Sequence, residues 1–112
     1  MSEGQPALAE RRYVQSLLEL YRKHPHTTGR VRRADRLLAR DLYRQGIDLD
    51  RVRDAFLLVA ARRVRSPEQI RSLHYFLPAI KEVLKQPLDT GYVRYLRRFN
   101  QRDNPDRDHR LA

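Results

Sequence analysis

At 112 residues the chain has room for one hydrophobic core and not for two. With no Cys it has no disulfide, no Cys-ligated zinc and no thiol nucleophile, so burial of apolar surface must hold it together. A formal net charge of +10, with a pI near 10.8, sets up a long-range field that attracts polyanions.

The first apolar pattern, residues 7–24, repeats Leu8, Val14, Leu17, Leu18 and Tyr21 at the spacing of a helix with one buried face. Arg22, Lys23 and His24 fall in its last turn, where cations favour the negative end of the dipole, and Pro25 stops it. After a linker over 25–30, Ala34, Leu37, Leu38 and Leu42 mark a second helix, which Gly46 can close in the left-handed conformation. Asp48 is a good N-cap for a third helix over 49–63, with Ile47 and Val52 placed as a hydrophobic staple. Its run of Ala55, Phe56, Leu57, Leu58, Val59, Ala60 and Ala61 is apolar on nearly every side and predicts the central core helix.

Ser66, Pro67 and Gln69 form a helix-start signal: a capping hydroxyl, Pro at the first position and an amide able to reach back. A short helix is therefore expected from Pro67, with a kink or restart near His74 because Pro78 cannot sit inside a continuous helix. Leu77, Ile80, Val83 and Leu84 resume helical spacing until Pro87, and Asp89 can cap a last helix whose Tyr92, Tyr95, Leu96 and Phe99 share one face. Residues 100–112 hold three Arg and three Asp without an apolar period, which predicts a disordered neutral tail. The expected fold is all-α: one compact bundle of about five helices over 1–99, carrying the whole net charge, followed by that tail. No apolar run reaches bilayer length and the first ten residues lack the pattern of a signal peptide, so a cytoplasmic protein is expected.

Of the 24 basic residues 21 are Arg. A GC-rich genome explains Arg over Lys but not the excess of base over acid. Arg32, Arg36, Arg40 and Arg44 recur every four residues and make one winding stripe opposite the leucines. Like charges at that spacing repel, with Asp35 and Asp41 relieving only part of it, so the stripe suggests an anionic partner; a solvated helix face is the plain alternative. At the start of this helix Arg30, Arg32 and Arg33, the Thr27 and Thr28 hydroxyls and the open backbone N–H groups would together suit a phosphate. A second cluster joins Arg62, Arg63, Arg65 and Arg71 to His74 and Tyr75, the mix of Arg and aromatic that grips a backbone and stacks on a base. Tyr75 reads more readily as core, since Tyr75, Phe76 and Leu77 cannot all be exposed in so short a chain. A third group, Arg94, Arg97 and Arg98, is either a further contact or the polar face of the last helix.

A helix-turn-helix is disfavoured: Leu42 stands where Ala is usual four residues before the turn Gly, and the third helix is too apolar for a major groove. His24 and His26 flank Pro25 without a third ligand at a recognisable spacing, so no metal site is expected and both read as caps or solvated loop residues. Asp48 and Asp50 are explained by capping. No phosphate loop, nucleophile elbow or deaminase signature occurs, which argues against an enzyme and against a cofactor.

The run RRADRLLARDLYRQGIDLDRVRDAFLLVAARR followed by IRSLHYFLPAIKEVL resembles the DnaD-like helical modules of replication-initiation and DNA-remodelling proteins of bacterial plasmids and phages. Tyr75, Phe76 and Ile80 occupy the places of that module's aromatic segment, over residues 33–85. The resemblance implies DNA binding on a replicon or mobile element. Together these features predict a non-catalytic protein that binds nucleic acid, DNA ahead of RNA, chiefly through phosphate neutralisation; a small helical protein-interaction subunit of a nucleoprotein complex is the alternative.

Overall fold

The computed structural model describes the backbone of residues 4–102 and the side chains of residues 8–98. Five α-helices follow in order: α1 Gly4–Lys23, α2 Arg33–Arg44, α3 Leu49–Arg62, α4 Leu77–Lys85 and α5 Thr90–Arg102, with a 3₁₀ turn at Leu73–Phe76 leading into α4. The expected all-α bundle is therefore the fold of the described residues. The last helix runs beyond the expected boundary at residue 99, and the rest of the expected tail, 103–112, lies outside the described residues.

α2 lies along α1, and α3 packs on α1, α4 and α5. The core joins Leu17 and Tyr21 of α1, Leu38 and Leu42 of α2, Val52, Ala55, Phe56 and Val59 of α3, and Ile80 and Val83 of α4. Phe56 and Phe76 stack at its centre, ring centroids 4.1 Å apart, with Tyr21 edge-on to Phe76. As the sequence predicts, α3 is the central helix. A consequence is that α3 cannot serve as a recognition helix, because its apolar faces are spent on its three neighbours.

Several boundaries follow the predicted chemistry. Gly46, at φ +76°, ends α2 with the paired bonds of a left-handed closure: its N–H donates to Tyr43 O (2.9 Å) and that of Ile47 to Leu42 O (3.2 Å). Open space surrounds the position of a Cβ on Gly46, so Gly46→Ala meets no clash and pays only for the left-handed backbone. A loss of about 1 kcal/mol in urea unfolding is expected. Asp48 caps α3 by accepting from Asp50 N, and Asp89 accepts from Gly91 N at the start of α5.

The segment after Ser66 departs from its start signal. Residues 66–71 form no helix; Ile70 is buried and pairs in parallel with Thr27, its N–H donating to His26 O (2.6 Å) and its carbonyl accepting from Thr28 N (3.1 Å). Burial of Ile70 and these two bonds outweigh a local preference worth at most about 2 kcal/mol. The restart near His74 is present: Ser72 Oγ accepts from His74 N to open the 3₁₀ turn, and Pro78 falls in the first turn of α4, where its missing N–H costs nothing.

Besides Tyr75, five residues read as buried are half-exposed: Leu8, Leu37, Leu84, Tyr92 and Tyr95. Leu8 lies on the part of α1 that outruns the shorter α2, and Leu37 lies on the outer side of α2. Tyr92 and Tyr95 are exposed because α5 packs chiefly along α3 and, among the described residues, sinks only Leu96 fully; the Phe99 side chain is outside the described residues.

Candidate nucleic-acid interface

The site is built where two loops meet the start of α2. Parallel pairing of Thr27 with Ile70 sets Arg71 one residue beyond the pair and Arg30 three beyond it, on neighbouring segments. The Asp35 carboxylate then ties both to the helix: Oδ2 accepts from Arg32 N (2.8 Å) and Oδ1 from Leu73 N (2.9 Å). Arg32 has no acceptor with which to return the bond, so this is half of a capping box, closed instead by the Leu73 amide. These contacts gather Arg30, Arg32, Arg33 and Arg71 at one end of the molecule, with Arg36 one turn along α2. All five are exposed, and among the described residues none of them makes an ion pair.

This geometry corrects the phosphate site expected at the helix start. Thr27 is buried and its hydroxyl donates to Tyr21 O (2.7 Å), closing the end of α1, while Asp35 already supplies the negative charge that the dipole of α2 favours. Of the two acids expected to temper the stripe, Asp35 is buried with its oxygens on backbone amides and Asp41 accepts from Gln45 Nε2 (2.8 Å); among the described residues neither makes an ion pair with an arginine of the stripe. What the helix start offers an anion is its guanidinium groups, with Thr28 Oγ1 accepting from Arg30 N at 3.3 Å.

The remaining predicted residues divide. Arg40 and Arg44 sit 3.9 and 3.6 Å from the Glu10 carboxylate of α1, so the lower half of the stripe is answered within the molecule. Arg62 forks onto Glu82 of α4 through bonds of 3.0 and 2.7 Å, which hold the Glu82 carboxyl below its usual range. Arg63 donates to the Tyr75 hydroxyl (2.8 Å) and to Glu68 O, and its guanidinium lies 5.0 Å over the Tyr75 ring. Tyr75 is therefore half-exposed, against the expectation that it is core, and Phe76 takes the core position. Arg65 is exposed and makes no ion pair among the described residues. Arg94, Arg97 and Arg98 are exposed on α5, away from the α2 end.

His24 was legible only as a cap or loop residue and is instead buried, its ring edge-on to Phe56 and Phe76. Nε2 donates to Phe56 O (3.0 Å) and Nδ1 accepts from His26 N (3.1 Å), a pairing that fixes the neutral Nε2–H tautomer. Burial lowers its pKa to about 4, with His26 and Arg63 adding to the effect. With both nitrogens engaged, His24 is a structural tie between α3 and the loop that precedes the Arg cluster.

Known protein families, curated proteins and solved structures offer no match to this chain. Function must therefore be argued from the surface itself. No helix among the described residues is long and apolar enough to cross a membrane.

Proposed function

We propose that this protein binds nucleic acid without catalysis, DNA ahead of RNA, by neutralising backbone phosphates with Arg30, Arg32, Arg33, Arg36 and Arg71. The observation that carries the reading is the gathering of these exposed side chains at one end without a carboxylate partner among the described residues. Like-charge repulsion of that kind, answered only in part by Asp35, costs folding energy, and an anionic partner recovers it. A role on a bacterial replicon or mobile element is the setting that the resemblance of residues 33–85 to DnaD-like modules implies, and a cytoplasmic location is the one the lack of a bilayer-length apolar run suits.

Fluorescence anisotropy with duplex DNA, single-stranded DNA and RNA of matched length across a salt series is the test. Five phosphate contacts on a duplex predict a slope of about −4 to −5 in log affinity against log salt. Arg30→Glu, Arg33→Glu and Arg71→Glu together should abolish binding, whereas Arg40→Glu with Arg44→Glu, which face Glu10, should weaken it less. Absence of affinity at about 50 mM salt rejects the reading.

A second reading, a protein-interaction subunit, has one feature in its favour. Leu20, Phe56, Leu57 and Ala60 floor an open apolar groove between α1, α3 and α5, and Lys23, Arg53 and Arg97 stand at its rim. Failure of all three nucleic acids to bind would transfer the claim to this surface.

A further inference from the structure

We propose that α5 is a stacking platform for unpaired bases, so that the preferred ligand is single-stranded nucleic acid or a duplex with a single-stranded extension. This rests on the nucleic-acid reading above and assigns a second contact surface to it. Two half-exposed rings, Tyr92 and Tyr95, lie one helical turn apart with centroids 6.1 Å from each other and planes within 18° of parallel. Both rings keep solvent-facing surface, 44% and 57% exposed, because α5 packs chiefly on α3 through Leu96. Near-parallel planes are what two successive bases meet without a change of tilt, and every base has a face to offer them.

Charge selects the occupant. From Thr90 to Arg102 the helix has four Arg and no acid, and Arg98 follows Tyr95 at the next turn of the same side. An apolar protein partner would have to bury those charges, whereas a polynucleotide supplies a phosphate beside each stacked base. The platform is also connected to the proposed phosphate end. α5 packs along α3, whose last residue is Arg62; Arg62 adjoins Arg63, which bonds Tyr75 and Glu68 O; and Glu68 leads through Ile70 to Arg71 and the Arg30 loop. A strand crossing the molecule would thus pass the Arg62–Glu82 pair, meet Arg63 and Arg71 beyond it, and find rings at one end. Tyr75, stacked beneath Arg63, is a waypoint on this path.

Anisotropy of a labelled oligo-dT against a duplex of the same length, with the whole chain, tests the proposal. In wild-type protein the single strand should bind at least as tightly as the duplex. Tyr92→Ala with Tyr95→Ala should weaken the single strand about tenfold or more, given about 1–3 kcal/mol per stacked base, and leave the duplex within about twofold. Tyr92→Phe with Tyr95→Phe, which keeps the rings, should restore single-strand binding. Because the chain has no Trp, Tyr95→Trp adds a unique fluorophore that oligo-dT should quench and the duplex should not. Equal losses on both ligands, or unchanged single-strand affinity with native circular dichroism, would overturn the platform while leaving duplex binding and the Arg cluster intact. A wild-type dimer that the alanine pair converts to a monomer would also overturn it, assigning the rings to a second copy. If neither ligand binds wild-type protein, the nucleic-acid reading fails and takes the platform with it.

Discussion

Replacing Asp35 with alanine is expected to destabilise the fold by about 3 kcal/mol, more than any surface charge would, and to lower the melting temperature by about 15 °C. The carboxylate is only 1% exposed, yet it spends both oxygens on backbone amides from different parts of the chain, Arg32 N at 2.8 Å and Leu73 N at 2.9 Å. Alanine leaves both donors without their acceptor: the buried Leu73 amide costs about 1–3 kcal/mol, the part-buried Arg32 amide less, and the lost N-cap adds to them. Asp35→Asn keeps one acceptor but turns an amide NH₂ toward the other donor, so it should recover part of the loss at most. Urea unfolding of the two variants decides the matter: a change below about 0.5 kcal/mol for alanine is the range of an ordinary surface substitution and would remove Asp35 from its bridging role. Because the same bonds seat the Arg30 and Arg71 segments on α2, Asp35→Ala should also weaken DNA binding under conditions where the protein remains folded.

That residue shows where the sequence was readable and where it was not. Helix limits set by local chemistry, the closure at Gly46, the caps at Asp48 and Asp89 and the restart before Pro78, stand where capping and backbone rules put them. The Ser66 start signal obeys the same rules and fails, because a tertiary pairing of Ile70 with Thr27, 43 positions apart in sequence, has no local signature. Asp35 reads as one acid among arginines for the same reason: its second partner, Leu73, is 38 residues away. Charge clusters were visible as runs, but which arginines are answered internally depends on Glu10 and Glu82 reaching across from other helices. Periodicity put Tyr92 and Tyr95 on one face with Leu96, yet only Leu96 is buried, because periodicity carries no information on how many neighbours a helix has.

Acidification is expected to strip stability from the fold through His24, and the direction follows from its surroundings. The ring is neutral in the folded protein, with Nε2–H bonded to Phe56 O and Nδ1 filled by the His26 amide, so a proton must displace the latter bond and place a charge between Phe56 and Phe76. The nearby titratable and charged groups, His26, Arg63, and the groove cations Lys23, Arg53 and Arg97, all oppose that charge or leave it unpaired. Its folded pKa is therefore about 4, against 6.5 for an ordinary histidine. Between those values the unfolded chain binds a proton that the folded chain refuses. The stability contributed by neutral His24 is complete above pH 6.5, declines as pH falls and is gone below about 4, a total of about 3 kcal/mol. His26, also lowered by burial, acts in the same direction, so the His24 share is isolated by comparison with His24→Gln, which retains a donor for Phe56 O and does not titrate. Urea midpoints measured from pH 7 to 4.5 should fall more steeply for wild type than for His24→Gln, although the variant starts lower at pH 7. Parallel curves would mean that the ring is already protonated or solvated in the folded state. Since His24 anchors the turn from which Thr28 and Arg30 emerge, the loss of nucleic-acid affinity on acidification should track this transition, even though the arginines themselves keep their charge throughout.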